Sequence, residues 1–273
     1  MNRLDPSMDY SPDVFEELRQ TRKNRLIGNE IVFLPEVDST NLEASRMARQ
    51  GTREGVVVLA DSQSQGKGRG GRSWSSPPGV NLYFSIILRP ALAPAEVPQI
   101  PLLAGLAVAR AFVRISGLEA RIKWPNDILL RGKKAAGILA EMEGVGDEIR
   151  FIILGVGCNV NWEKERMPPD LQKTATSLRA ETGRELSRYR VAERIFEELE
   201  PAYRFYLKEK FSHRLRKEWN SLSWVNGKQV TIASGDQEFS GEALGLDEIG
   251  ALLIRDCRGE IQRVIAGDVS LRL

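Results

Sequence analysis

Residues 61–74 read DSQSQGKGRGGRSW, and no other stretch limits the fold of this chain so strongly. Gly66, Gly68, Gly70 and Gly71 are interleaved with Lys67, Arg69 and Arg72, and Trp74 closes the run. Such a segment has too little apolar surface to form part of a core. Glycine lets a backbone approach a ligand closely, and Lys and Arg seek anions. Apolar runs at 56–60 and 82–88 flank it, so two buried strands must deliver a polar loop. We read it as a cationic flap, mobile without ligand, that orders over an anionic small molecule. A plain polar hairpin is the alternative, and the charge density weighs against it.

Gly66, Gly68 and Gly71 also satisfy G-x-G-x-x-G. A dinucleotide site needs a helix to open there, with its N-terminus toward the pyrophosphate. Ser-Trp-Ser-Ser-Pro-Pro-Gly follows instead and cannot be helical. No Gly-Lys-Ser/Thr occurs, which removes the phosphate-loop NTPases. The only histidine is His213, and the two cysteines, Cys158 and Cys257, stand far apart. Histidine triads, histidine-based zinc sites and a disulfide framework are therefore set aside. The chemistry must rest on Lys, Arg, carboxylates and positioning.

Thirty-nine basic and 37 acidic residues leave a net charge of +2, which gives no support to a nucleic-acid partner. The apolar runs fall short of the ~18 residues a membrane span needs, and the N-terminal segment is polar. Cytosol is the expected compartment. The length of 273 residues accommodates one large domain and a small one.

Ser11-Pro12 predicts a helix start, with Val14, Phe15 and Leu18 on one face up to about Arg25. A strand is expected over 31–37, then a helix to Gly51 with Thr40 and Glu43 spaced as a capping box. Ser39, Thr40 and Asn41 exceed what a helix start needs and could line a pocket. Strands are expected at 55–60 and 82–88 and a core helix over 102–115. Lys123 ends a short strand stopped by Pro125. Its anionic partner is either Asp127 or a ligand carboxylate or phosphate. Paired strands at 136–143 and 150–155 lead to Gly155 and Gly157, one pleat apart, where a backbone or a flat ligand could lie on the sheet. A loop over 167–177 and helices over 189–206 and 211–219 follow. From Ser221 onward, short alternating strands predict a small all-β barrel, with glycine turns at 227, 235, 241, 250 and 259.

Taken together, these motifs resemble biotin–protein ligase. The residues that carry the resemblance are Asp38-Ser39-Thr40-Asn41, then Gln63 with the flap through Trp74, then Lys123-Trp-Pro-Asn-Asp127. Lys134-x-x-Gly137-Ile-Leu, Gly155-x-Gly-x-Asn159 and Gly267-Asp-Val-Ser-Leu-Arg272 complete the set, over roughly 30–273. The resemblance implies an α+β fold: a mixed-sheet catalytic domain with packed helices, class II synthetase-like, followed by a small SH3-like β barrel. It implies an N-terminal helical extension at 1–28, a catalytic domain at 29–221 and a barrel at 222–273. The implied reaction activates biotin with MgATP to biotinyl-5′-AMP. Biotin then passes to a lysine of a biotin carboxyl carrier protein.

The same resemblance places Ser39, Thr40, Asn41 and Gln63 near the biotin head group. It puts Lys67, Gly68 and Arg69 on the flap, Trp74 as a shield of the adenylate, and Lys123 between carboxylate and phosphate. Asn126 and Asp127 border the phosphate and magnesium region, and Lys134, Gly137 and Asn159 complete the binding set. Arg69 and Lys123 are the expected catalytic residues. Lys67 stands where many members have Arg, which forgoes bidentate geometry. About 30 residues precede the first strand, too few for a helix-turn-helix module, so no DNA binding is expected. The family makes a homodimer through exposed sheet edges plausible. The alternatives are a lipoate or octanoate ligase or transferase of the same fold and, outside the enzymes, a nucleic-acid-binding module.

Overall fold

The computed structural model describes residues 20, 22, 25–235 and 237–271. The helix expected from Ser11 lies largely outside the described residues, as does Arg272. A seven-stranded mixed sheet forms the body, in the order β1-β2-β3-β7-β6-β5-β4. Its strands are β1 (Ile31–Val37), β2 (Val57–Gln63), β3 (Leu82–Leu88), β4 (Ala120–Lys123), β5 (Asp127–Leu130), β6 (Lys133–Val145) and β7 (Glu148–Cys158). Only β1 and β2 run parallel, joined by helix α1 (Thr40–Arg49); the other pairs are antiparallel.

Helix α2 (Gln99–Ser116) is apolar nearly all round and packs between the sheet and helix α5 (Arg188–Glu209). It starts three residues earlier than its apolar pattern suggests, because Pro101 falls in the first turn, where a missing N–H costs nothing. The stretch Pro94–Ser116 has the length and mean hydropathy (1.3) of a membrane span, contrary to the reading from apolar runs, and 67% of that window is buried inside the fold. The expected loop over 167–177 contains a short helix, α3 (Pro169–Thr174), with proline at its first position. Helices α4 (Leu178–Thr182) and α6 (His213–Leu222) complete this part.

A second, five-stranded antiparallel sheet follows: β8 (Gln229–Ser234), β9 (Gln237–Leu246), β10 (Leu252–Arg255), β11 (Ile261–Val264) and β12 (Asp268–Leu271), in the order β11-β10-β9-β8-β12. It has the make-up of a small SH3-like barrel. Gly241 is not a turn residue. It sits within β9, where a Cβ would come 2.1 Å from the Arg255 carbonyl of β10.

The two sheets meet at the end of β4. Trp124, 2% exposed, donates its indole N–H to the Gly250 carbonyl at 3.2 Å, and Trp224 N–H bonds the Ile122 carbonyl at 2.8 Å. The second sheet is thereby held against the strand that carries Lys123.

Candidate functional site

The loop between β1 and α1 does not form the expected capping box. Ser39 is the N-cap with no side-chain cap bond, and Thr40 is already the first helical residue. Its hydroxyl is directed into the fold, where it donates to Gln63 Oε1 at 3.1 Å and accepts from Ser85 Oγ at 2.8 Å. Gln63 lies in β2, three residues beyond the expected strand end, because parallel pairing with β1 continues to Val37. Its carboxamide also takes the Thr40 N–H (2.9 Å) and donates to Ser76 Oγ at 2.8 Å. Asn41, 4% exposed, places Oδ1 against Ser85 Oγ and donates Nδ2 to Glu141 at 2.7 Å. The result is a connected polar floor in which Ser85 Oγ lies within hydrogen-bond distance of both Thr40 Oγ1 and Asn41 Oδ1.

Glycine is required above this floor for close approach. A Cβ on Gly155 would stand 2.1 Å from Asn41 Oδ1, and one on Gly157 would stand 2.5 Å from Trp74 Nε1. A Cβ on Gly137, in the neighbouring strand, would stand 2.8 Å from the Trp74 ring. The flat object lying on the sheet is thus the Trp74 indole, with the Asn41 carboxamide beside it. Trp74 Nε1 is buried and has no hydrogen-bond partner among the described residues.

The flap is a folded hairpin. Lys67 pairs with Ser73 as an isolated β-bridge, Gly68 N–H bonds the Arg72 carbonyl at 2.6 Å, and Trp74 N–H bonds the Gly66 carbonyl at 2.8 Å. The three flap cations share two carboxylates. Lys67 Nζ lies 3.2 Å from Glu141. Arg69 and Arg72 (2.9 Å) both engage the Asp268 carboxylate of β12, and Arg69 also donates to the Gly267 carbonyl. Partial burial raises the Asp268 pKa, but the two guanidinium groups prevail and hold its carboxyl below the ordinary value. A group depressed in this way stays ionised throughout the neutral range and lets go only as pH falls through its lowered value.

Two cavities adjoin here. The smaller, about 120 Å³, is lined by Ser39, Thr40, Asn41, Gln63, Lys67, Gly68, Arg69, Asn126, Gly137, Gly155 and Gly157 among others. The larger, about 810 Å³, lies between the first sheet, α3 and the second sheet, with Lys123, Asp127, Asn159, Trp162 and Trp224 in its wall. Arg72, Ser73, Trp74 and Lys134 line both.

Every residue expected to bind substrate or to act in catalysis therefore borders one cavity or the other, but Lys123 borders only the larger. Asp127 is not the partner of Lys123; it pairs with Lys134 at 2.7 Å, and Lys123 makes no ion pair among the described residues. Asn126 is tied to Ile138 at both ends, Nδ2 to the carbonyl at 2.8 Å and its own carbonyl to the N–H at 3.0 Å. Asn159, 3% exposed, donates Nδ2 to the Thr176 carbonyl, and its Oδ1 has no partner among the described residues.

Sequence reasoning missed Ser85 and Glu141. Both lie on strands far along the chain, with no local signal beyond a polar residue in an apolar run. Among the described residues, no group of three or more His, Cys, Asp or Glu side chains converges as a metal site.

Residues 33–159 match the Biotin/lipoate A/B protein ligase family, and residues 226–272 match the Biotin protein ligase C terminal domain. The chain is 32% identical to the Biotin--[acetyl-CoA-carboxylase] ligase of Mycobacterium tuberculosis, over 98% of this chain and 97% of that one. It is 35% identical to the Bifunctional ligase/repressor BirA of Bacillus subtilis, over 93% of this chain and 78% of the relative. Among solved structures, the biotin protein ligase from Aquifex aeolicus in complex with biotin and ATP superposes with a TM-score of 0.77 at 31% identity. That match covers 89% of this chain and 98% of the other.

Proposed function

Because the chain belongs to the biotin protein ligase family, we propose that its two adjoining cavities divide the substrates, biotin in the smaller and ATP in the larger. The chain is an ATP-dependent biotin–protein ligase. The biotin carboxylate attacks the α-phosphorus of ATP, the bond to pyrophosphate breaks, and biotinyl-5′-AMP forms. A lysine amine of a biotin carboxyl carrier protein, of the acetyl-CoA carboxylase type, then attacks the acyl carbon and releases AMP. A full-length relationship to biotin ligases, with the C-terminal domain match, favours this over a lipoate or octanoate enzyme or a nucleic-acid-binding module.

The observation that supports the residue roles is the junction of the cavities at Arg72, Ser73, Trp74 and Lys134. A carboxylate and a triphosphate repel, and fixed cations in a partly dry cleft offset that repulsion. Arg69, Arg72, Lys67 and Lys134 surround the meeting point, and Lys123 faces the nucleotide side. No base is required, since a carboxylate is already ionised at neutral pH.

Thr40, Gln63 and Asn41 supply donors and acceptors to the biotin head group, with Ser39 beside them. Gly68 and Gly137 leave room, and Trp74 shields the adenylate. The unpartnered Oδ1 of Asn159 suits an amino donor such as that of adenine. Magnesium suits the larger cavity if it comes with the triphosphate, because that ion is held mainly by phosphate oxygens and water. Asp127, with Asn126 next to it, is the carboxylate we propose to neighbour it.

We assign 29–221 to the catalytic domain and 222–273 to the barrel, after an extension at 1–28. A cytoplasmic location, no DNA or membrane partner, and a homodimer complete the proposal. The exposed Met142 and Val145 of β6, 52% and 76% accessible, support an edge contact between copies.

Pyrophosphate release tests the reading: with ATP it should depend on biotin and not on lipoate, and release driven by lipoate would overturn it. A second expected result concerns Asp268. Asp268→Ala frees Arg69 and Arg72 from the second sheet. It should alter transfer to the carrier by about fivefold, the order expected for a partly exposed ion pair, and biotin affinity by less. Equal changes in both constants would show that the second sheet does not act through the flap.

A further inference from the structure

Among the described residues, the Glu141 carboxylate is the acidic group that touches both the floor of the smaller cavity and the flap. Its Oε2 accepts from Asn41 Nδ2 at 2.7 Å, and its Oε1 lies 3.2 Å from Lys67 Nζ. Glu141 does not line that cavity. It lines a separate one of about 150 Å³ behind it, whereas Asn41 and Lys67 line both. Any effect on a ligand must therefore pass through these two side chains.

The first link is directional. A carboxylate only accepts, so it turns the NH₂ end of the Asn41 amide toward itself. The carbonyl end must then face Ser85 and the space above Gly155. Asn41 is only 4% exposed, so its amide orientation is set mainly by these two neighbours. The second link is electrostatic and half-exposed, with side-chain accessibilities of 38% for Lys67 and 40% for Glu141. It pins the first flap cation against β6 and fixes where the flap begins.

We propose that Glu141 is a positioning residue for biotin, with two separable actions: it sets the orientation of the Asn41 amide and it seats the flap through Lys67. The inference rests on the ligase reading of this site. The ligand is the neutral, hydrogen-bonding head group of biotin, which needs donors and acceptors in one fixed arrangement.

Titration calorimetry with biotin on the full chain, at low and at high salt, separates the two actions. Glu141→Gln keeps an acceptor for Asn41 and removes the charge opposite Lys67. Its biotin affinity should fall by up to about fivefold at low salt and return to that of the parent at high salt, as an exposed ion pair does. Glu141→Leu leaves the buried amide without its acceptor and should lose about tenfold or more at either salt. Thermal melting of both variants beside the parent reports any general loss of structure, which would not produce a salt-dependent difference between them. Glu141→Leu binding biotin within twofold of the parent, or both variants falling equally at both salts, would overturn the inference while leaving the ligase reading intact. A parent chain that binds no biotin would instead overturn the ligase reading, and this inference with it.

Discussion

Lys123→Gln is expected to lower biotinyl-adenylate formation by ~10²–10³-fold, the usual loss when one fixed electrostatic donor is removed from a site. The size of the effect follows from the neighbours. Lys134 has its charge occupied by Asp127 at 2.7 Å, Lys67 by Glu141 and Arg69 by Asp268. Lys123 ends β4 opposite Asp127 in the strand register, half-buried in the larger cavity, with no carboxylate claiming it among the described residues. Its charge is already available to a phosphate; Lys173 of the same cavity is likewise without a carboxylate among the described residues, but it is exposed and stands on α3. Lys134→Gln should cost less, because the pair with Asp127 has to be broken before Lys134 can serve a substrate. Rapid-quench measurement of pyrophosphate release reads both variants. If Lys134→Gln proves as damaging as Lys123→Gln, or if Lys123→Gln releases pyrophosphate at the parent rate, the assignment of Lys123 fails.

Gly155→Ala is expected to raise the KM for biotin by about 10–100-fold with a smaller change in kcat. The added methyl would stand 2.1 Å from Asn41 Oδ1, well inside contact distance. Asn41 cannot yield without cost, because Ser85 and Glu141 hold both ends of its amide. Overpacking of this kind costs about 1–3 kcal/mol, and an amide pushed off its partners adds a comparable amount. The double variant Gly155→Ala with Asn41→Ala removes the clash. Its loss should be smaller than the two single losses combined, as contacting residues require. Strictly additive losses in a biotin titration would show that the two residues do not meet as described.

Much of the architecture follows from local pattern. Ile31–Val37 and Leu82–Leu88 have the bounds their apolar runs suggest. The density of glycine and of basic side chains in the flap marks it as a ligand loop without reference to anything distant. The motif order carries the family, because several weak signals in a fixed sequence exclude the alternatives that each one alone would leave open.

The local pattern misleads where a side chain answers to a distant partner. Thr40 and Glu43 have capping-box spacing, yet Thr40 turns inward to Gln63 and Ser85, 23 and 45 residues away. The second residue of Lys-Trp-Pro-Asn-Asp carries no chemistry in the motif, but Trp124 is the bolt between the two sheets. The strand Asp268–Leu271 is short and exposed, and its place is decided by pairing with β8.

By itself, the sequence determined the kind of chemistry: cations and small polar groups around a glycine loop, with a single histidine and no cysteine pair. Those properties are additive over residues and need no geometry. Only the tertiary structure decided which carboxylate neutralises which cation. Asp127 takes Lys134, Glu141 takes Lys67 and Asp268 takes Arg69, which leaves Lys123 without a carboxylate among the described residues. Ion pairing depends on distances of a few ångströms between residues up to 199 positions apart, and composition and spacing along the chain carry no such distances.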